Sequence, residues 1–231
     1  MDQTLPDDAA ANQSAWTPNG RPEPSQRRSA QSLTRMVKAA RAVMLARKSE
    51  DFTLQEVSAR GKVSTGSIYH RFESKDGLVR AVLLAELEKL DRTERGMVDR
   101  LMATCPSLDA YVPAYVAGFA EILRDNAVMI GLAMRRSGTD ARMSSLGNRR
   151  ASDSAHVATA ALLHFAHEIE GDAAAKAATV FRMIFATVSR RVILDRDDSP
   201  ECDDWESFVG ELSWMSLIYL KSARPGGGVA P

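Results

Sequence analysis

The stretch Thr53-Leu54-Gln55-Glu56-Val57-Ser58-Ala59-Arg60-Gly61-Lys62-Val63-Ser64-Thr65-Gly66-Ser67-Ile68-Tyr69-His70-Arg71-Phe72 decides the fold. It reads as two short helices joined by a tight turn. Thr53 is a good N-cap, and Glu56 three residues on completes a capping box. Leu54 and Val57 give the first helix an apolar side, Ser58 is small enough for a second helix to cross closely, and Gly61 marks the stop. Ser64 or Thr65 caps the next helix, which sets Ile68 and Phe72 four apart on its inner face. Thr65, Ser67, Tyr69, His70 and Arg71 are polar or amphipathic, and several must point outward. A short helix with an apolar back and a small, polar first turn fits the major groove of DNA, with hydroxyls and an imidazole for bases and phosphates.

The run continues as Glu73-Ser74-Lys75-Asp76-Gly77-Leu78. From Val63 to Leu78 it closely resembles the signature of TetR-family transcriptional regulators: Val-Ser, a small pair, Leu or Ile, Tyr, two variable residues, Phe, a short turn, Lys, an acidic residue and Leu. The resemblance covers about fifty residues and is specific there. It implies an all-α fold, with an N-terminal three-helix helix-turn-helix head on a C-terminal helical ligand-binding and dimerisation body. It implies a cytoplasmic, non-enzymatic regulator of transcription, a repressor that a small apolar or aromatic effector releases from double-stranded operator DNA. One departure stands out. The family usually has Gly where this chain has Lys62, because the turn wants a positive φ. Either the turn shifts by one residue toward Gly61, or Lys62 adopts the left-handed conformation at a cost of about 1 kcal/mol. An exposed Lys62 could also reach phosphate.

The resemblance assigns phosphate contacts to Tyr69, His70 and Lys75, with Thr53 at the start of the supporting helix and Ser64 at the start of the reading helix. Thr65, Gly66 and Ser67 are expected to approach base edges. Arg27 and Arg28 precede the first helix as a basic arm that touches the backbone or minor groove.

Charge agrees with this placement. The 231-residue chain has 30 Lys and Arg and 30 Asp and Glu, a formal net charge of zero. Between Arg27 and Arg80, however, stand twelve Lys and Arg against five Asp and Glu, an excess of seven positive charges that coincides with the motif. Two cysteines, Cys105 and Cys202, are too few for a disulfide framework and suit a reducing compartment. The N-terminus lacks the basic start and apolar core of a signal peptide, and no apolar run is long enough to span a bilayer, so no membrane partner is expected.

Helical periodicity extends along the chain, and no alternating pattern argues for strands. Residues 1–28, rich in Pro, Ser, Asn, Gln and Asp, read as a disordered arm. Residues 29–78 read as the helix-turn-helix DNA-binding domain, 79–222 as the regulatory ligand-binding and dimerisation domain, and 223–231 as a disordered tail. The first helix runs from Ser29 to Lys48, with Phe52 plugging the head core. A long helix starts at Lys75 and reaches toward Met102, joining head to body. Further helices are expected at Leu108–Leu123, Ala127–Met134, Ser152–Glu170, Ala173–Leu194 and Asp203–Leu220.

The last two helices are apolar over more than one stripe, as expected of helices that pack on the body and on a second chain. They predict a homodimer with Ile184, Val188, Trp214 and Leu217 near the interface. Tyr115, Phe119, Met129, Met134 and Phe165 lie on separate helices that must converge, and are the candidate lining of an effector pocket. Each also suits a plain core. His156, His164 and His167 fall near one stripe of a predicted helix, with spacing too loose to point to a metal. No Walker loop, Cys cluster or nucleophile–base pair appears, so no cofactor, metal or catalytic residue is assigned. The alternative function is a ligand-independent architectural DNA-binding protein, for which a closed, well-packed body is expected.

Overall fold

A computed structural model of the chain describes residues 24–194 and 204–223. The helices among them are α1 (Pro24–Arg47), α2 (Leu54–Gly61), α3 (Thr65–Phe72), α4 (Lys75–Thr104), α5 (Leu108–Asp125), α6 (Ala127–Ser137), α7 (Ala141–Leu163), α8 (Ala173–Leu194) and α9 (Trp205–Lys221), with a 3-10 turn at Ala166–Glu168. There is no strand among the described residues, and the all-α reading holds. No helix among them is long and apolar enough to cross a membrane. Cys202 and most of the N-terminal arm and C-terminal tail lie outside the described residues.

The three helix starts of the head are built as their cap residues dictate. The Thr53 hydroxyl accepts from the Glu56 N–H while the Glu56 carboxylate accepts from the Thr53 N–H, a complete capping box. Ser64 caps α3 by accepting from the Ser67 N–H, and Ser74 caps α4 by accepting from the Gly77 N–H. Phe52 is buried with Leu54, Val57, Ile68, Leu78 and Val82.

That core does not stop at the start of α4. Met36, Met44, Val79 and Leu83 are continuous with Met129, Leu132 and Ala133 of α6 and Met143 of α7. The second core lies deeper in the body, where Tyr111, Tyr115 and Phe119 stand one turn apart on α5 and stack with ring centroids 5.9 and 5.7 Å apart. Phe165 leans on Tyr111 at 5.4 Å and Phe185 on Phe119 at 6.2 Å.

Several boundaries differ from the sequence expectation. Helix α1 begins at Pro24, five residues before Ser29, with proline in the first turn where its missing N–H costs nothing. Arg27 and Arg28 therefore lie on helical backbone. Helix α7 begins at Ala141 instead of Ser152, because Asp140 accepts from the Arg142 and Met143 N–H groups and caps it. The Ser, Gly and Asn of its first half are poor helix formers, and packing overrides their propensity. It ends at Leu163 instead of Glu170, where the chain turns to bury Phe165 and Ile169. His156 is thus on α7, His164 at its C-terminal cap and His167 in the 3-10 turn, so they do not share one helical stripe. Among the described residues no three His, Cys, Asp or Glu side chains group as metal ligands do.

Gly77 fixes how α4 follows α3. A Cβ there would stand 2.2 Å from the Phe72 carbonyl oxygen, a backbone atom that cannot swing away. Gly77→Ala is therefore expected to cost about 1–3 kcal/mol and to lower the thermal midpoint measured by circular dichroism. An unchanged midpoint would show that this junction gives way to a side chain without cost.

Candidate DNA-binding surface

The turn between α2 and α3 resolves the choice left open at Gly61-Lys62. Lys62 takes the left-handed conformation, φ 50° and ψ 48°, and its N–H bonds the Ser58 carbonyl. Gly61 is the buried last residue of α2, and a Cβ there would lie 3.1 Å from the Ala39 Cβ of α1. The glycine thus serves the close crossing of α1 and α2, and the strained turn falls to the next residue. The Ser58 hydroxyl donates to the Val63 carbonyl at 2.6 Å and pins the turn from inside. Ser58 was legible only as a small residue, and this second task was not.

Helix α3 buries Ile68 and presents Gly66, Ser67, Tyr69, His70 and Arg71 to solvent, while Thr65 is half-buried. Tyr69 is 54% exposed, a large aromatic side chain with no core to fill. The Ser64 and Ser67 hydroxyls lie 2.7 Å apart. A groove runs between the N-terminal half of α1 and α3, with Ser29, Ser32 and Leu33 on one wall and Gly66, Ser67, His70 and Arg71 on the other. Arg71 belongs to this surface although the sequence reading singled it out for no contact. Its position four after Ser67 was the available signal.

Two other assigned residues are held by local bonds. Thr53 is exposed, and its hydroxyl both accepts from the Glu56 N–H and donates to the Glu56 carboxylate at 3.1 Å. The Thr53 N–H, which donates to the Glu56 carboxylate at 2.7 Å, and then the hydroxyl lower the Glu56 pKa, with Arg47 adding to them through its ion pair. Lys75 is half-buried with Nζ 4.7 Å from the centre of the Phe52 ring, at the start of α4. The aromatic face steadies the ammonium beside the free N–H groups of that helix end, an arrangement suited to a phosphate.

The three glycines of the motif part ways here. Gly61 and Gly77 are required by neighbouring atoms, but nothing stands within 4 Å of a Cβ at Gly66. Gly66 is exposed on regular helix, where glycine is worse than alanine by about 0.5–1 kcal/mol and the fold gives no reason for it. The close approach of DNA is the expected reason. Gly66→Ala is expected to raise stability by about that amount and to weaken operator binding. Tyr69→Ala and Lys75→Ala are expected to weaken binding to all sequences and flatten its salt dependence, whereas changes at Thr65 or Ser67 shift base preference. Fluorescence anisotropy with labelled duplexes across salt concentrations reads both. Full operator affinity in Gly66→Ala, or in the Tyr69→Ala, Lys75→Ala double variant, would show that this face does not meet DNA.

Residues 36–82, which span the end of α1, the turn motif and the start of α4, match the family model described as bacterial regulatory proteins, tetR family. Among curated proteins no match is found. Among solved structures, a protein of Mesorhizobium loti assigned to the TetR-family transcriptional regulators superposes with a TM-score of 0.65 at 12% identity, covering 84% of this chain and 95% of that one. A bacterial regulatory protein in the tetR family from Rhodococcus gives 0.59 at 13% identity, over 84% and 98%. A protein of Pseudomonas aeruginosa assigned as a transcriptional regulator gives 0.55 at 19%, over 86% and 90%. At these identities the likeness is one of fold. The head matches the TetR family model over residues 36–82, and the chain as a whole has the fold of the TetR-family regulators it superposes on.

Proposed function

We propose that the protein is a repressor that binds its operator as a homodimer and leaves it when a small, mainly apolar effector enters the body. The observation that carries this reading is a cavity whose wall also carries the clamp between body and head.

The cavity, about 270 Å³ and partly enclosed, lies among α4, α5, α6, α7 and α8. Its lining is mostly apolar: Leu87, Leu90, Leu123, Ile130, Ala133, Met134, Met143, Phe185 and Ile193 border it. Of the five residues expected to line a pocket, Met134, 53% exposed, borders this one. Tyr115, Phe119 and Phe165 are buried in the aromatic stack of the body, and Met129 in the core shared with the head. The presence of a cavity supports ligand control over the ligand-independent architectural alternative.

Ala133, Met134 and Ser137 of the cavity wall flank Arg136 on α6. The Arg136 guanidinium is 12% exposed and reaches three carboxylates: Glu50 between α1 and α2 at 2.5 Å, Asp76 in the first turn of α4 at 2.9 Å, and Asp140 at the start of α7 at 3.7 Å. Arg80 of α4 adds a bond to Asp140 at 3.3 Å. An effector that displaces α6 therefore moves the cation that holds the turn before α2 and the start of α4. The hydrogen bond from Arg136 lowers the Asp76 pKa, and bonds from the Met143 N–H and then Arg80 lower that of Asp140. Carboxylates lowered in this way hold the clamp fully above about pH 4 and release it as pH falls through their lowered values.

Dimerisation is best supported on α9. Trp214 is 60% exposed, and Met215, Ile218 and Tyr219 are exposed beside it, a continuous apolar surface unusual for a lone chain. Leu217 is half-buried below Trp214 in a groove against α5. Ile184 and Val188, the other expected interface residues, are buried within the chain's own core, so they act on an interface only by shaping α8.

Arg136→Met is expected to leave the helix content intact, to speed amide exchange several-fold over residues 50–76 and to leave α8 unchanged. It should also shrink the effect of any effector on operator affinity from the usual 1–3 kcal/mol of coupling energy, roughly five- to 150-fold, to near nothing. Unchanged exchange in the head would remove the clamp from the mechanism. Sedimentation at micromolar concentration should give twice the chain mass, and Trp214→Arg with Ile218→Glu should give the monomer. A monomeric wild type that binds a palindromic operator tightly would exclude the dimer.

A further inference from the structure

The polar end of the cavity says what chemistry its occupant carries. Arg150 of α7 borders the cavity and is the one ionisable side chain that does among the described residues. Its guanidinium is buried between two carboxylates of α4. Nε lies 2.8 Å from Asp91, out of line for a hydrogen bond, and Nη2 lies 3.4 Å from Glu94. Glu94 is itself almost wholly buried, and its other oxygen accepts from the Ser154 hydroxyl at 2.5 Å.

Two tyrosines of α5 lie near the same carboxylate. The Tyr111 and Tyr115 hydroxyls are buried and without any hydrogen-bond partner, and both lie within the electrostatic reach of Glu94. Tyr115 also feels Arg150. The Tyr111 and Tyr115 O–H groups are thus buried donors without an acceptor, and the Arg150 Nε–H, close to Asp91 but out of line with it, is a third donor without a hydrogen bond. Buried donors rarely go unpaired, because water solvated them in the unfolded chain. Of these three, Arg150 is the one that borders the cavity, and what it lacks is an acceptor in line with it.

The charge of that acceptor follows from the neighbours. Arg150 already faces Asp91 and Glu94. Arg95 acts on both carboxylates as a second cation, while Glu88 and Asp153 add negative charge around Asp91. The Arg150 guanidinium is thus already matched by two carboxylates at 2.8 and 3.4 Å, and burial raises the pKa of both despite their cations. A carboxylate on the occupant would add to the excess. An ammonium would bring more donors to a wall that already has too many, and would meet the guanidinium first, since neither Asp91 nor Glu94 borders the cavity.

We propose that the effector is an uncharged, mainly apolar molecule that carries one hydrogen-bond acceptor, such as a ketone or ester carbonyl, and that it places this acceptor on Arg150 while its apolar part lies between Leu87, Ile130, Met134 and Phe185. This rests on the effector-site reading above and adds the class of ligand to it.

Three probes of matched length test the class by calorimetry on the full-length protein without DNA: benzylacetone, hydrocinnamate and phenylpropylamine. Benzylacetone is expected to bind about tenfold or more tightly than either charged probe at neutral pH, as one well-made buried hydrogen bond provides. Arg150→Met should erase its advantage over butylbenzene. Because that change removes the cation ion-paired to Asp91 and Glu94, Ala151→Phe is measured beside it. It fills the cavity, keeps every charge, and should abolish benzylacetone binding. Hydrocinnamate or phenylpropylamine binding as tightly as benzylacetone overturns the class, and so does the absence of benzylacetone binding at millimolar concentration. Benzylacetone that binds as expected but leaves operator affinity unchanged upholds the class and overturns effector release.

Discussion

One guanidinium joins the two ends of this molecule. Arg136 is nearly enclosed, and a cation so placed is tolerated only because Glu50, Asp76 and Asp140 surround it. The three carboxylates come from the turn before α2, the start of α4 and the start of α7. Each is an element boundary, where the backbone can rotate most easily. Bolting these boundaries together ties the turn before α2 and the start of α4, which flank the α2–α3 pair, to one residue of α6. Removing any one carboxylate leaves the cation partly satisfied, whereas removing the cation leaves three anions facing each other. The hub residue is therefore the sensitive one.

The polar chamber around Glu94 has the opposite logic. Its groups are more numerous than the bonds they make: three donors have no acceptor, and two carboxylates are pushed toward protonation by burial. An apolar replacement of that volume would pack as well and cost less. Its persistence in the middle of a helical body is easier to understand if something completes it part of the time.

The head was legible because its signals are local. Thr53 with Glu56, Ser64 and Ser74 each announce a helix start within four residues of chain, and Ile68 and Phe72 announce the buried side. The turn at Lys62 was not legible, because the reason for glycine at position 61 is Ala39, a contact across two helices that no local pattern contains. The same limit explains the body. The Ala141–Ser152 half of α7 is polar enough to read as a loop, and it is helical because Asp140 caps it and Arg150 and Met143 are held from other elements. Aromatic residues on converging helices gave equal support to a pocket and to a core. Tyr115 and Phe119 turned to each other and Phe165 to Tyr111, and the space opened a layer away, beside smaller side chains such as Ala133, Gly147 and Ala151. Likewise the stripes of α8 were correctly seen as apolar, but which stripe faces inward depends on α5 and α7, not on α8 itself.

The shared core of head and body bears on modularity. Met36, Met44, Leu78, Val82 and Leu83 pack in one cluster with Met129, Leu132, Ala133 and Met143. A fragment cut at the start of α4 would leave those faces bare to water, and a head transplanted from a distant relative would meet an α6 surface shaped for other side chains. A head exchanged between such regulators keeps this packing where the four α6 and α7 residues travel with it. The packing unit of the head is in this sense discontinuous in the gene, one piece near its beginning and another past its middle.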